Sequence, residues 1–318
     1  MTEAALDVVY TWVDDTWPGY LDLRNRYAAD KRDLNPNRTR DNLEALRYSM
    51  RSVAEYLPEV RRIYLLTARP QVPAWLDPAH PQIQVVHHDE VMAPEVLPTF
   101  SSFGIVSHLH LLPGLAEEFL YIEDDQMLND RHAMRALRDG AGRPIVNLGK
   151  APILPLERLN PATSSPWNLA LAEADALLSD RFGPGPRRHV IHGPQFYRKS
   201  HFAEAAESFA AAFATTRGHR FRHGAAIPPE VFVPHFMIEK RYAIQAPDRA
   251  AARVEGYASL ENFAPWTWAQ LKKLELRRPL TLTFNDSFGA RPNRRVEAMV
   301  RRWFATHFPK PAAWERRL

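Results

Sequence analysis

Short apolar blocks alternate along the first half of the chain with stretches of helical spacing. Residues 8–13 (VVYTWV) form an apolar, β-branched and aromatic run that stops at Asp14 and Asp15. This predicts a buried strand delivering carboxylates at its C-terminal end. Leu43, Leu46, Met50, Val53 and Leu57 recur at helical spacing behind a cap at Asp41 or Asn42, and Pro58 lies just beyond the stripe. Arg62–Thr67 and Ile83–His87 read as two more buried strands, separated by a connection containing Pro73 and Trp75. A helix is predicted over 102–112, and 119–122 is a strand running into Glu123, Asp124 and Asp125.

The second half is richer in helix. A segment over 169–181 ends at the Gly-Pro-Gly-Pro turn of 183–186, and 200–215 places Phe202, Phe209 and Phe213 on one face. A basic stretch precedes an apolar helix over 231–238. Residues 280–284 form a strand finishing at Asn285 and Asp286, and Val296, Val300, Trp303 and Phe304 share a face of a docked last helix. Strand alternating with helix predicts an α/β fold with a mainly parallel central sheet. Such sheets bind ligands beyond the carboxyl ends of their strands, so acidic clusters at separate strand ends suggest one shared site. The expected organisation is one domain over 1–318, with an α/β half (1–150) and helical insertions with a completing strand and helix (151–318).

Composition narrows the chemistry. The 318 residues contain no cysteine, so a metal must be held by carboxylate, imidazole or amide oxygen, which suits Mg²⁺ or Mn²⁺. Lysine and arginine total 41 against 37 acidic residues, a formal charge of +4 that gives no ground for a nucleic-acid partner. The N-terminus lacks the basic start of a secretory signal, and no window approaches the roughly 18 apolar residues that span a bilayer. The expectation is a soluble, cytoplasmic protein, with peripheral association at the inner face of the membrane compatible with its charge.

Several motifs can carry chemistry, each with a plainer alternative. Adjacent carboxylates in IEDD (122–125) repel one another unless a divalent cation neutralises them, although an acidic turn has the same appearance. Asp14 sits at the first strand's end, where it is either a nucleotide contact or a turn residue. Ser101, Ser102 and His108 surround a helix start that can hold phosphate or simply be capped. His192 lies in a Gly-Pro turn where an imidazole can act as a base or be merely structural. Arg220 and Arg222, in RGHRFRH (217–223), can grip phosphate or line an exposed loop. Asn285 and Asp286 can touch a metal or a sugar, or initiate a turn.

Four blocks in order resemble the Stealth family: DVVYTWVDD; RDNLEALRYSMRS through LPTFSSFGIVSHLHLLPGL to FLYIEDDQML; WNLALAEADALLSDRFG through HGPQFYRKSHF; and LTLTFNDSF. The resemblance implies a GT-A-like fold and transfer of a sugar 1-phosphate from a UDP-sugar, such as a UDP-N-acetylhexosamine, to a hydroxyl of a glycan acceptor, with UMP released. It assigns Asp125, His192, Arg222 and Asp286 to catalysis, with His192 or an aspartate as base. Asp124 and Asp125 are the implied ligands of Mg²⁺ or Mn²⁺. Asp14, Arg47, Ser101, Ser102, His108 and Asn285 are the implied donor contacts, and Arg220 joins them through its spacing with Arg222.

The sequence departs from the family pattern at three places. Asp15 and Trp17 stand where a glycine and an acid are usual, Val106 replaces a glutamate, and Glu123 replaces an asparagine. A carboxylate lost at 106 and gained at 123 reads as a relocation, as altered donor choice or as weakened activity. Two rival functions share these residues: a glycosyltransferase releasing UDP, and a silent nucleotide-sugar or glycan-binding protein.

Overall fold

The computed structural model describes residues 5–29, 41–289 and 291–316. Arg40, at the head of the second block, lies outside the described residues.

The first strand, β1 (Leu6–Trp12), is central and covered on both faces. Leu6, Val8, Tyr10 and Trp12 enter one core layer and Val9 the other, which is why no polar alternation marks this run. After α1 (Tyr20–Tyr27) comes α2 (Ala45–Tyr56), whose Leu46, Met50 and Val53 pack on the first layer as the stripe predicted. Asp41 caps it at a distance, its Oδ1 accepting from the Ala45 amide at 3.0 Å.

The expected strands β2 (Arg62–Thr67) and β3 (Ile83–His87) follow, and β1, β2 and β3 pair in parallel. Helix α3 (Ser102–Val106) is shorter than the 102–112 expected. The Ser107 hydroxyl and His108 Nδ1 both bond the Gly104 carbonyl, at 2.7 Å each, taking the acceptor that would have continued the helix.

Strand β4 (Glu118–Glu123) pairs in parallel with β1 and turns through Asp124 and Asp125 into β5 (Gln126–Leu128). Beyond it lie β6 (Ile145–Val146), β7 (Leu148–Pro152), α4 (Pro166–Phe182), β8 (Arg188–Val190) and β9 (Gln195–Arg198). The main sheet has the order β3-β2-β1-β4-β9, with only β9 antiparallel.

The helix expected over 200–215 is two, α5 (Lys199–Ser208) and α6 (Ala210–Gly218). Phe209 breaks the run by turning its ring edge-on to Phe232 and Phe236 of α7 (Pro229–Glu239). These helices and α4 bury Ala174, Leu178, Phe202, Phe213 and Phe232 in the same layer as Val9 and Leu66.

The chain continues through β10 (Ile244–Gln245) and α8 (Asp248–Val254) to β11 (Glu255–Leu260), α9 (Ala264–Arg277), β12 (Thr281–Asp286) and α10 (Arg294–His307). A second sheet, β11-β12-β5, pairs β11 with β12 in parallel and β12 with β5 antiparallel. Its core takes Phe284, Val296, Val300 and Phe304. Gly256 is required there: a Cβ would lie 2.3 Å from Pro279 Cγ and 2.5 Å from the Thr281 carbonyl oxygen. The α/β class with a mainly parallel central sheet is the one expected from the alternation of elements. No helix among the described residues is long and apolar enough to cross a membrane.

Candidate active site

The acidic ends of β4 and β12 open onto the same region as the end of β1. Two cavities of about 350 and 400 Å³ lie there, and both are lined by Glu123, Asp124, Trp167, Arg222 and Glu230. They form one continuous cleft, each part within the roughly 300–1,000 Å³ range of small-molecule sites. The first cavity adds Thr11 and Trp12 from β1, Tyr20 and Arg24 from α1, and Ser102. The second adds Asp41, Asp125, His192, Asn285 and Asp286.

Two hydrogen bonds from one strand hold this arrangement. In β12, the Thr283 hydroxyl donates to the His192 carbonyl at 2.5 Å, and the Phe284 amide donates to the Asp125 carbonyl at 3.0 Å. His192 Nε2 then lies 3.3 Å from Glu123 Oε2. Glu123, Asp125 and His192 can each present a ligand atom within 4.8 Å of the others. Asp124, expected as a metal ligand with Asp125, lies outside that trio. The carboxylates of Glu123 and Asp125 are the hard oxygen donors that suit Mg²⁺ or Mn²⁺.

Arg222 enters from the opposite wall. Its Nε donates to the Ser102 hydroxyl at 2.9 Å, and its guanidinium lies over the rings of Phe103 (5.2 Å) and Trp167 (5.7 Å). The stack fixes the fork while leaving it in the cleft.

Charge in the cleft is unbalanced. Six carboxyl groups line the second cavity, from Asp41, Glu123, Asp124, Asp125, Glu230 and Asp286, against the cations His192 and Arg222. Burial and then Asp125, Asp41 and Glu123 push the Asp124 carboxyl well above its usual range. Burial and Asp14 push Asp41 up to about 7. Burial and Glu123 do the same to Glu230, also to about 7. Burial opposes charge on Glu123, but His192 and Arg222 outweigh it and hold this carboxyl low. Burial likewise opposes the His192 cation, yet Glu123 and Asp125 push it up to about 10. Like charges so confined call for an added cation.

Other residues singled out from sequence sit elsewhere. Arg47 lines neither cavity: its Nε donates to Glu315 at 2.7 Å and its Nη1 to Glu44 at 3.2 Å. Ser101 is buried as the cap of α3, accepting from the Gly104 amide at 3.4 Å. His108 is buried beside it and lowered to about 4, mainly by burial. Asp14 accepts from the Thr16 amide and hydroxyl, while its backbone is clamped by Gln71. Arg220 donates to the carbonyls of Glu95 and Leu97 and lies over Tyr27. Ser102, Asp124, Asp125, His192, Arg222, Asn285 and Asp286 all line the cleft.

Sequence reasoning did not single out Glu230, Arg24 or Trp167. Glu230 had a signal: a lone acid in the first turn of an otherwise apolar helix, just after Pro228 and Pro229. Its side chain is buried, with Oε2 free of any hydrogen bond. Val106 and Glu123, where a carboxylate is exchanged relative to the family pattern, line the same first cavity.

Residues 38–142 match the model of Stealth protein conserved region 2, and residues 191–238 match that of conserved region 3. The chain belongs to the Stealth family. Both matched regions of this Stealth chain contribute walls of the cleft, through Glu123 to Asp125 and through His192, Arg222 and Glu230. It is 31% identical over 320 residues to a Streptomyces coelicolor protein named exopolysaccharide phosphotransferase, covering 98% of this chain and 52% of the relative. A protein of the same name from Nocardia farcinica is 34% identical over 328 residues, covering 98% and 61%. The Stealth chain thus spans about half the length of the curated relatives it matches. Among solved structures, the galactosyltransferase LgtC in complex with donor and acceptor sugar analogues is 11% identical, with a TM-score of 0.46 over 94% of this chain and 95% of that one.

Proposed function

We propose that this chain is a hexose-1-phosphate transferase, moving a sugar 1-phosphate from a UDP-sugar to a glycan hydroxyl and releasing UMP. The observation that carries the reading is the convergence of the β4 carboxylates, His192 and Arg222 on one cleft. The names of the curated relatives agree with it.

In this reading the first cavity takes the nucleotide. Thr11 and Trp12 at the end of β1 form its floor. Arg24 is buried, and its Nε has no hydrogen-bond partner, so it offers a cation to the diphosphate from the wall of this cavity. Arg222 faces the transferred phosphoryl group from its aromatic stack, where a fixed fork spreads the charge of the transition state. Mg²⁺ or Mn²⁺ held by Glu123 and Asp125, with Asp124 alongside, would neutralise the diphosphate.

The acceptor oxygen forms a bond to the β-phosphorus as the bond to the α-phosphate oxygen breaks, so UMP leaves and a phosphodiester is made. The acceptor's proton goes to Glu230, a buried carboxyl poised near neutrality at the junction of the cavities. His192, expected as a base, is held protonated between Glu123 and Asp125 and serves better as a charged donor to phosphoryl oxygen. Incubation with UDP-sugars and a glycan acceptor, followed by chromatographic identification of the nucleotide, tests the proposal. UMP is expected; UDP would establish the glycosyltransferase reading instead, and binding without turnover the silent one.

A further inference from the structure

Helix α9 has an outer face that the fold leaves uncovered. Thr267, Leu271 and Leu274, spaced by four and three, are its buried stripe against the small sheet. Away from that stripe the helix exposes Trp266 (45%) and Trp268 (55%) on its two flanks and Leu276 (84%) opposite, with Phe263 (66%) exposed at its N-cap. Scattered exposed apolar residues are ordinary, but two tryptophans and a leucine on one helix with a phenylalanine at its cap are a concentration of them.

The same helix and its C-cap carry Lys272, Lys273, Arg277 and Arg278 against Glu275, an excess of three positive charges. We propose that this face docks on an anionic membrane surface, with the aromatic rings at headgroup depth and the cations among the lipid phosphates. Tryptophan beside lysine and arginine is the composition of helices lying in the bilayer interface. A sugar chain would leave Leu276 without a partner, and a second copy of the face would set cation against cation.

The position of the patch gives the docking a use. Leu260, at the end of β11, pairs in register with Asp286, and Asn262 bonds the carbonyls of Phe288 and Arg291. The aromatic end of α9 therefore adjoins the Asn285–Asp286 rim of the cleft. Docking there brings the mouth of the second cavity to the bilayer surface, within reach of an acceptor carried on lipid.

Flotation of the purified chain with phosphatidylcholine vesicles, with and without phosphatidylglycerol, tests this. The wild type is expected to bind the anionic vesicles, and high salt to weaken binding. Combined Trp266→Ala and Trp268→Ala should lower partition by about tenfold or more, and combined Lys272→Glu and Lys273→Glu should remove the preference for the anionic lipid. All four positions are exposed, so unchanged circular dichroism and melting serve as the folding control. Failure of the wild type to float, or flotation unaltered by the tryptophan substitutions, overturns the proposal. So does a concentration-dependent dimer that those substitutions abolish, since it would assign the face to a second copy.

Discussion

Glu230→Gln separates the ionisation of this carboxyl from its shape. Moving a glutamate from its ordinary 4.5 to about 7 corresponds to about 3 kcal/mol of differential stability. The folded value lies above the unfolded one, so the contribution is fully present below 4.5 and is lost as pH rises through about 7. The wild type should therefore lose stability over that window from this group alone, and the variant should not. Asp41, also pushed up to about 7, changes both proteins alike and largely cancels in the difference. Urea unfolding with a chelator present, from about pH 5 to about pH 8, should show the variant gaining on the wild type by about 3 kcal/mol across the range. Turnover adds a second readout. Wild-type rate should rise through about pH 7 as the base ionises, whereas the variant should lose about 10²-fold or more and show no such rise. A stability difference that is flat with pH, or a variant with wild-type turnover and profile, refutes the assignment.

Two further predictions probe neighbouring features. Mg²⁺ or Mn²⁺ should raise the melting temperature of the wild type, and Asp125→Asn should abolish that shift and lower turnover by about 10²-fold or more; a shift that survives removes Asp125 from the ligand set. The Glu315 side chain is 2% exposed and receives both Arg47 and Arg51, so Glu315→Ala leaves Arg51 without its carboxylate and Arg47 with Glu44 alone. It should cost about 3–5 kcal/mol in denaturant unfolding while leaving the donor KM unchanged, and the opposite pattern would place Arg47 in the donor site after all.

Strands β1 to β4 of the main sheet were legible because burial on both faces writes a continuous apolar run, as in β1 and β2, whereas the short β9 was not. The acidic turn after β4 was legible because adjacent carboxylates have few structural uses. Strand β11 was not, since Glu255, Gly256 and Ser259 interrupt its apolar pattern and its place depends on Pro279 and Thr281 packing against a glycine. The end of α3 was hidden for another reason: Ser107 and His108 compete for a backbone carbonyl, which periodicity does not reveal. Within the cleft, His192 and Arg222 stood out through their motifs, but Arg47 and Arg220 did not show their partners. A guanidinium in a basic segment has the same spelling whether it faces a cavity or ties down a loop carbonyl. Glu230 depends on a tertiary fact, the opening of two cavities onto one helix start.

The two bonds from Thr283 and Phe284 carry a consequence for synthesis. Asp125 and His192 leave the ribosome long before the strand that sets their spacing, 91 residues after His192 in the case of the Thr283 bond. A nascent chain that has already formed its large sheet therefore still lacks the bonds that align its cleft. Competence arrives late, with the penultimate segment of the described fold.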